Sequence, residues 1–176
     1  MTRSKEIYVK KNEGIKVVSV PYGLGAEAAR DFKKGEVVAT FTGAVRLFRD
    51  FETSEIPYLI AAGSRDLWMS PEAPERFINH SCEPNLRLEN FFTLVALRDI
   101  AAGEPFSFAY DLVADDDMRW LKVTGLGERF LRWPADFGFT CACGSETCRG
   151  VIDRNIVFRG GILTPQTDED VVEANR

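Results

Sequence analysis

Four cysteines are the residues with the clearest capacity for chemistry. Three lie in the stretch CACGSETC and one lies far upstream, and they are Cys82, Cys141, Cys143 and Cys148. Close spacing around Gly-Ser allows a short loop to turn its thiolates toward one point, and a fourth thiolate completes the tetrahedron that structural zinc prefers. Two disulfides or four separate buried thiols are the alternatives. Disulfides are disfavoured because the N-terminal stretch is not typical of a secretory signal and a Cys141–Cys143 bridge would be strained.

The bend RFINHSCEPN, residues 76–85, crowds polar groups around Cys82. It contains the only histidine of the chain, His80, together with Asn79 and Asn85. The bend is either an ordinary loop or part of a binding site. If Cys82 shares a metal with the later cysteines, the C-terminal loop is fixed to this bend and closes whatever site lies there.

Short apolar segments closed by turn-forming residues predict a mainly β fold. Segments rich in β-branched and aromatic residues lie at 15–20, 37–41, 58–63, 66–69, 93–97 and 106–108. The exception is 111–134, where acidic residues, a glycine-containing break and Pro134 predict two short helices. The polar and acidic stretch from Thr164 onward predicts a frayed tail.

Size and charge restrict the class of protein. The chain has 176 residues, of which 45% are hydrophobic, and this is enough for one continuous core. The net charge of -5 repels nucleic acid and favours a cationic, lysine-rich partner, so direct nucleic-acid binding is not expected. No stretch approaches the roughly 20 apolar residues of a membrane span. We therefore expect a soluble intracellular protein, nuclear or cytoplasmic.

Four motifs together resemble the SET-domain protein lysine methyltransferases with a zinc-binding post-SET segment. They are YGLGAEAARDFKKGEVVATFTG, RFINHSCEPN, GEPFSFAYDL and CACGSETCRG. The resemblance implies small curved β-sheets, with a C-terminal segment threaded beneath an earlier loop in a knot-like arrangement. It also implies methyl transfer from S-adenosylmethionine to the amine of a lysine in a protein or peptide, a histone or another protein. The implied division is an N-terminal extension 1–14, a SET domain 15–140, a post-SET zinc segment 141–158 and a tail 159–176.

The resemblance assigns the cofactor contacts to two motifs. The stretch Gly23-Leu24-Gly25 matches the turn whose backbone lies against S-adenosylmethionine, and glycine permits such close approach. An ordinary hairpin turn is the alternative. Asn79 and His80 match the pair that hydrogen-bonds the cofactor, and Asn85 matches a residue that braces the same bend. A hydrogen-bonded core histidine is the alternative for His80.

The same resemblance identifies Tyr110 as the active-site tyrosine. A lysine amine attacks a sulfonium methyl only when neutral, and with a pKa of about 10.4 the neutral form costs about 4 to 5 kcal/mol at pH 7. An aromatic channel lowers that cost by desolvating the ammonium. Tyr58 is the candidate for a second channel wall, with a strand aromatic in the core as the alternative. Phe108 stands where the family carries phenylalanine or tyrosine, and its π-face and spare room predict di- or trimethylation.

Several positions depart from the family pattern. Thr40 and Ala44 stand where glutamates are common, and Ala109 stands where an acidic residue is usual. The run 115–117 is read either as a solvated helix start or as an acidic surface facing the substrate. Two other functions therefore stay open, namely a module that binds S-adenosylmethionine or a peptide without turnover, and a methyltransferase acting on a small amine.

Overall fold

The computed structural model describes residues 12–64, 67–90, 92–114, 133, 137–159, 162–167 and 169. Within them the chain forms short strands and single-turn 3₁₀ helices. The strands are β1 (Ile15–Val20), β2 (Gly23–Ala28), β3 (Val37–Thr40), β4 (Gly43–Leu47), β5 (Ile60–Ser64), β6 (Leu67–Pro71), β7 (Asn79–His80), β8 (Leu86–Glu89), β9 (Thr93–Ala96), β10 (Ser107–Phe108), β11 (Leu112–Ala114), β12 (Phe139–Thr140), β13 (Val151–Ile152), β14 (Ile156–Arg159) and β15 (Ile162–Pro165). The 3₁₀ helices are Phe48–Asp50, Ile56–Tyr58 and Glu75–Phe77.

These strands form small sheets, as the sequence predicts. The largest has the order β3-β9-β8-β10-β7, and beside it lie the hairpin β1-β2 and the sheets β4-β6-β5, β11-β14-β15 and β12-β13. The core is built against the central sheet from apolar side chains of the strands and of the segments that connect them. Phe32 and Phe106 contact each other edge to face at 5.6 Å between ring centroids, and both are buried with Ile78, Leu94 and Ile100.

The placement of β10 gives the fold its threaded character. β7 lies within the bend and β8 directly follows it, and β10 lies between these two strands, parallel to both. Beyond β10 the chain continues into β11, which pairs in parallel with the C-terminal strand β14. The stretch that follows Phe108 therefore passes between β7 and β8 and meets the C-terminal segment directly. This agrees with the knot-like arrangement expected for the fold.

Most predicted strands are confirmed to within two residues, and the differences have local causes. The strand predicted at 58–63 begins only at Ile60, because the segment containing Pro57 forms a 3₁₀ turn that ends at Tyr58. The stretch predicted as a glycine turn is the start of β2. Residues 21–22 make the turn, and pairing with β1 together with burial of Ala26 and Ala28 outweighs the poor strand propensity of glycine.

Two further expectations concern the C-terminal half. Thr164 and Pro165 belong to β15 and pair with β14, so the ordered sheet extends into the stretch predicted to fray. Residues 112–114 form a strand, whereas the helices predicted between 115 and 134 lie outside the described residues. No helix in the described part of the chain is long and apolar enough to cross a lipid bilayer.

Candidate active site

One cavity of about 560 Å³ lies where the β1–β2 hairpin, the bend, the end of β10 and the cysteine-rich segment, or cysteine segment (residues 139–152), meet. Its volume is in the range of small-molecule and cofactor sites, roughly 300–1,000 Å³. Of the residues predicted for cofactor binding and catalysis, the lining includes Gly23, Leu24, Tyr58, Asn79, His80, Phe108 and Tyr110. Gly25 and Asn85 are not among the lining residues. The topology thus brings together side chains from segments that are distant in the sequence.

Asn79 joins the bend to the glycine hairpin. Its Nδ2 donates a hydrogen bond to the carbonyl of Leu24 at 3.1 Å. A Cβ on Gly25 would lie 3.2 Å from this amide nitrogen and 3.0 Å from Cγ1 of Val20, so a larger residue would require both side chains to shift by a few tenths of an ångström. Gly23 has a φ of 132°, a conformation that L side chains rarely adopt. Gly25 therefore provides close approach within the protein, while Gly23 and Leu24 face the cavity.

His80 uses both ring nitrogens inside the protein. Nδ1 accepts a hydrogen bond from the backbone N–H of Tyr110 at 3.2 Å, which assigns the remaining proton to Nε2, 3.5 Å from Sγ of Cys82. Burial lowers the pKa of His80 to about 4, so the ring is neutral at pH 7. The ring therefore links the tyrosine segment, residues 103–112, to Cys82. Any polar contact of His80 with a cofactor is left to its backbone.

Asn85 braces the bend and does not reach the cavity. The residue is 3% exposed. Its Nδ2 donates to the carbonyl of Pro105 at 2.8 Å and to Glu104 at 3.1 Å, and its Oδ1 accepts from the N–H of Ser107 at 2.9 Å. These bonds fix the bend to the chain that enters β10, and they place Asn85 in a supporting position, not a ligand-binding one.

Tyr110 stands in an aromatic corner of the cavity. Its hydroxyl donates to the carbonyl of Ile78 at 2.8 Å. Its ring centroid lies 4.7 Å from that of Phe108, 5.4 Å from that of His80 and 6.0 Å from that of Phe139. Burial raises the pKa of Tyr110 well above its usual value, so the phenol stays protonated at neutral pH. Such a group can orient a ligand but cannot act as a general base.

Phe108 and Tyr58 face the cavity from different settings. Phe108 is buried against Phe41, with 5.8 Å between ring centroids. Tyr58 is 38% exposed, and the guanidinium of Arg76 lies 4.3 Å from its ring centroid. Tyr58 is therefore not a core strand aromatic. It forms part of the rim of the cavity.

Several lining residues were not predicted from the sequence, and three of them lie near the motifs. Phe139, in β12, contacts His80 edge to face at 5.5 Å and closes the corner around Tyr110. Arg76 and Tyr22 also line the cavity, and each is the first residue of a quoted motif. Membership of these motifs was the available signal. Their orientation depends on contacts between distant segments, which no local pattern encodes.

The four cysteine sulfur atoms form one cluster. All lie within 4.8 Å of one another, Sγ of Cys82 and Cys141 are 3.9 Å apart, and none is in a disulfide. A tetrahedral zinc with Zn–S bonds of about 2.3 Å places its sulfur ligands about 3.8 Å apart. The N–H of Arg149 lies 3.5 Å from Sγ of Cys82, and the hydroxyl of Ser145 lies 3.2 Å from Sγ of Cys143. Both groups suit thiolates, so the cluster fits a zinc ion.

The cysteine-rich segment is also fixed to the bend and to the tyrosine segment by contacts that involve no sulfur. Thr147 donates to Glu83 at 2.7 Å. Arg149 forms two hydrogen bonds with Asp111, at 2.5 and 2.9 Å, and this carboxylate raises the pKa of Arg149. β12 and β13 pair across the base of the segment, which brings Phe139 to the cavity wall.

Comparison with known proteins agrees with this geometry. The family model described as SET domain matches residues 23–111. The histone-lysine N-methyltransferase ASHH2 of Arabidopsis thaliana is 25% identical over 169 residues, covering 86% of this chain and 9% of that protein. The histone-lysine N-methyltransferase SUV39H2 of Xenopus tropicalis is 25% identical over 155 residues, covering 74% of this chain and 37% of that protein. The chain thus spans less than half the length of these curated relatives.

A solved structure is also similar. It is that of the Neurospora SET domain protein DIM-5, a histone lysine methyltransferase, with a TM-score of 0.46, 21% identity and coverage of 55% of this chain and 51% of that one. The family match spans half of the sequence and contains β2 with its glycines, the bend and Tyr110. The chain belongs to the SET-domain family, and the resemblance identified from its motifs is confirmed.

Proposed function

We propose that this chain is a protein-lysine N-methyltransferase that uses S-adenosylmethionine. The observation that supports it most is the meeting of a neutral phenol, an aromatic corner and a glycine hairpin around one cavity, closed by a cysteine segment. The names of the relatives, which are histone-lysine methyltransferases, point the same way. The expected acceptor is a lysine side chain of a protein or peptide, with histones among the candidates.

In this proposal the cofactor lies between the hairpin and the bend. The backbone of Gly23 and Leu24, the amide of Asn79 and the backbone of His80 would hold it, and when bound it supplies an electrophilic methyl group. One amide hydrogen of the Asn79 side chain is bonded to the carbonyl of Leu24, so the second amide hydrogen and the side-chain carbonyl are the groups available to the ligand. Asn85 would act at one remove, by keeping the bend in place.

The lysine would enter along Tyr110, Phe108 and Phe139. Apolar walls disfavour the ammonium form and so lower the cost of the neutral amine that attacks. The Tyr110 hydroxyl donates its hydrogen bond to the carbonyl of Ile78, so its oxygen is free to accept a hydrogen bond from the amine. That bond would direct the nitrogen lone pair toward the methyl group. Tyr110 therefore positions the nucleophile, and loss of the amine proton to solvent precedes transfer.

We further propose that products extend to di- or trimethyl-lysine. Phe108 has no hydroxyl to hold a water or the amine, and its ring, 4.7 Å from that of Tyr110, offers a π-face to a methylated ammonium. A tyrosine in its place would narrow the corner by one oxygen. The extent of methylation therefore depends on this one side chain.

The metal proposed for the cluster is zinc, held by Cys82, Cys141, Cys143 and Cys148. Its role is structural, because four thiolates leave no open coordination position for a substrate. The ordered loop would keep Ala142 and Cys143 in the cavity wall. Metal binding and folding of such a loop are coupled, so metal removal would loosen this part of the wall.

The test is transfer of radiolabelled methyl from S-adenosylmethionine to histones, to total lysate proteins and to small amines in parallel, with cofactor binding followed by calorimetry. Label on a protein band, confirmed as methyl-lysine by mass spectrometry, is the expected result. Label only on small amines would replace the protein acceptor with a slender aliphatic amine. Cofactor binding without labelling of any acceptor would favour a binding module, a function that Thr40, Ala44 and Ala109 permit because they lack the usual carboxylates.

A further inference from the structure

An ion pair links the tyrosine segment to the cysteine segment. Both terminal nitrogens of Arg149 donate to the two carboxylate oxygens of Asp111, at 2.5 and 2.9 Å. The Asp111 side chain is 0% exposed and the Arg149 side chain 31%, which makes this the most deeply buried ion pair within the part of the chain that the structure describes. A two-pronged guanidinium–carboxylate pair fixes direction as well as distance.

The two residues hold matching places in the sequence. Asp111 directly follows Tyr110, and Arg149 directly follows the last cysteine of the cluster, Cys148. The backbone N–H of Arg149 also lies 3.5 Å from Sγ of Cys82. Arg149 therefore contacts a proposed metal ligand through its backbone and the tyrosine segment through its side chain.

The cysteine segment has two parts that depend on different interactions. Its loop, residues 142–148, is turned inward by sulfur atoms of the cluster. Its base is closed by β12–β13 pairing and by a 2.8 Å hydrogen bond from the N–H of Cys141 to the carbonyl of Gly150. These two contacts that close the base use no sulfur atom, and the Asp111–Arg149 pair connects the base to the rest of the domain, beside the contact of the Arg149 N–H with Sγ of Cys82.

We propose that Asp111 and Arg149 are positioning residues that dock the base of the cysteine segment against the tyrosine segment independently of the metal. The metal orders the loop and the ion pair docks the base. Docking of the base brings Phe139 to within 6.0 Å of the Tyr110 ring, measured between centroids. The catalytic consequence rests on the proposed function, whereas the docking itself does not.

The test uses the zinc-loaded full chain and the substitution Asp111→Asn, which keeps the side-chain volume and removes the charge. Asp99→Asn is the matched control, because Asp99 pairs with Lys33 at 2.8 Å on the exposed surface. We expect Asp111→Asn to keep wild-type zinc content while amide hydrogen exchange at 139–140 and 150–152 becomes about tenfold faster or more. In wild type treated with a chelator we expect the reverse, with faster exchange at 142–148 and retained protection at 150–152.

Two results would overturn the proposal. One is loss of zinc in Asp111→Asn with the exchange pattern of chelated wild type, which would make metal and ion pair a single unit. The other is unchanged exchange at the base. If Asp111→Asn does not fold, Arg149→Lys provides the test, because it keeps the charge and loses the two-pronged geometry. We then expect full zinc content with intermediate exchange at 150–152, and wild-type exchange there would refute the docking role.

An activity readout separates this inference from the proposed function. With an acceptor in hand, Asp111→Asn should lower kcat/KM for the acceptor by about tenfold or more with little change in cofactor affinity, because the cofactor contacts lie on the hairpin and the bend. Arg149→Lys should fall between Asp111→Asn and wild type. Metal content and hydrogen exchange need no turnover, so they test the docking even if no acceptor is methylated.

Discussion

The substitution Asn85→Ala tests how the bend is held. It removes hydrogen bonds to the carbonyl of Pro105 at 2.8 Å and from the N–H of Ser107 at 2.9 Å, at a position that is 3% exposed. A buried backbone group left without a partner costs about 1–3 kcal/mol. Two such groups predict a loss of about 2–6 kcal/mol in the free energy of unfolding.

Urea unfolding followed by tryptophan fluorescence in zinc-containing buffer measures this loss. With a slope of about 2 kcal/mol/M, the midpoint should fall by about 1–3 M. Lys16→Ala serves as the control, because the Lys16 side chain is 65% exposed and its ion pair with Glu27 is worth less than about 1 kcal/mol. A midpoint for Asn85→Ala that stays within the range of this control would refute the bracing role.

A second substitution at the same position separates the effect of a missing hydrogen bond from that of a repulsive contact between two acceptor oxygens. Asn85→Asp keeps an oxygen for the N–H of Ser107 but turns a second oxygen toward Pro105 and Glu104, where the amide had donated. Burial and the neighbouring carboxylate raise the pKa of the new carboxyl in the folded state above its unfolded value of about 3.9. The stability of this variant should therefore fall as pH rises above about 4, whereas that of Asn85→Ala should run parallel to wild type.

Three further predictions concern the rest of the site. Cys143→Ser should lose most of the bound metal and, in cobalt-substituted protein, the thiolate-to-cobalt absorption, whereas Ser145→Ala should keep both. Phe108→Tyr should shift products from di- or trimethyl-lysine toward monomethyl-lysine, and mass spectra of products at long reaction times that match wild type would contradict this. Burial lowers the pKa of His80 from 6.5 to about 4, so between these two pH values the unfolded state binds more protons than the folded state. The neutral ring therefore contributes up to about 3 kcal/mol to the free energy of unfolding, and this contribution is lost as pH falls from 6.5 toward 4. His80→Gln should flatten that part of the pH–stability curve, and an unchanged slope would show that other groups cause it.

Much of the fold could be predicted because its signals are local. β9 illustrates this, since Leu94 and Ala96 alternate inward along a β-branched stretch. The motif residues could also be placed, because their types and spacing carry the family resemblance. The start of β2 was harder to predict, because the two glycines at 23 and 25 have low strand propensity. These positions form a strand only through pairing with β1.

The remaining features depend on partners that are distant in the sequence. The resemblance implies that Asn85 braces the bend, but its partners, the carbonyl of Pro105 and the N–H of Ser107, depend on where β10 lies. The pairing of Arg149 with Asp111 depends on the threaded crossing. No periodicity or spacing within either segment encodes such contacts, so they appear only when the chain is folded.

The most direct test of the central claim compares methyl transfer by wild type and by Tyr110→Phe at saturating cofactor. The substitution removes one oxygen and leaves the buried carbonyl of Ile78 without its donor, so the urea midpoint should fall by about 0.5–1.5 M, whereas the aromatic corner and the cofactor affinity should stay close to wild type. If the Tyr110 oxygen positions the amine, the transfer rate should fall by about 100-fold or more. An equal transfer rate in the two proteins would contradict the account, because the Tyr110 oxygen would then not position the amine.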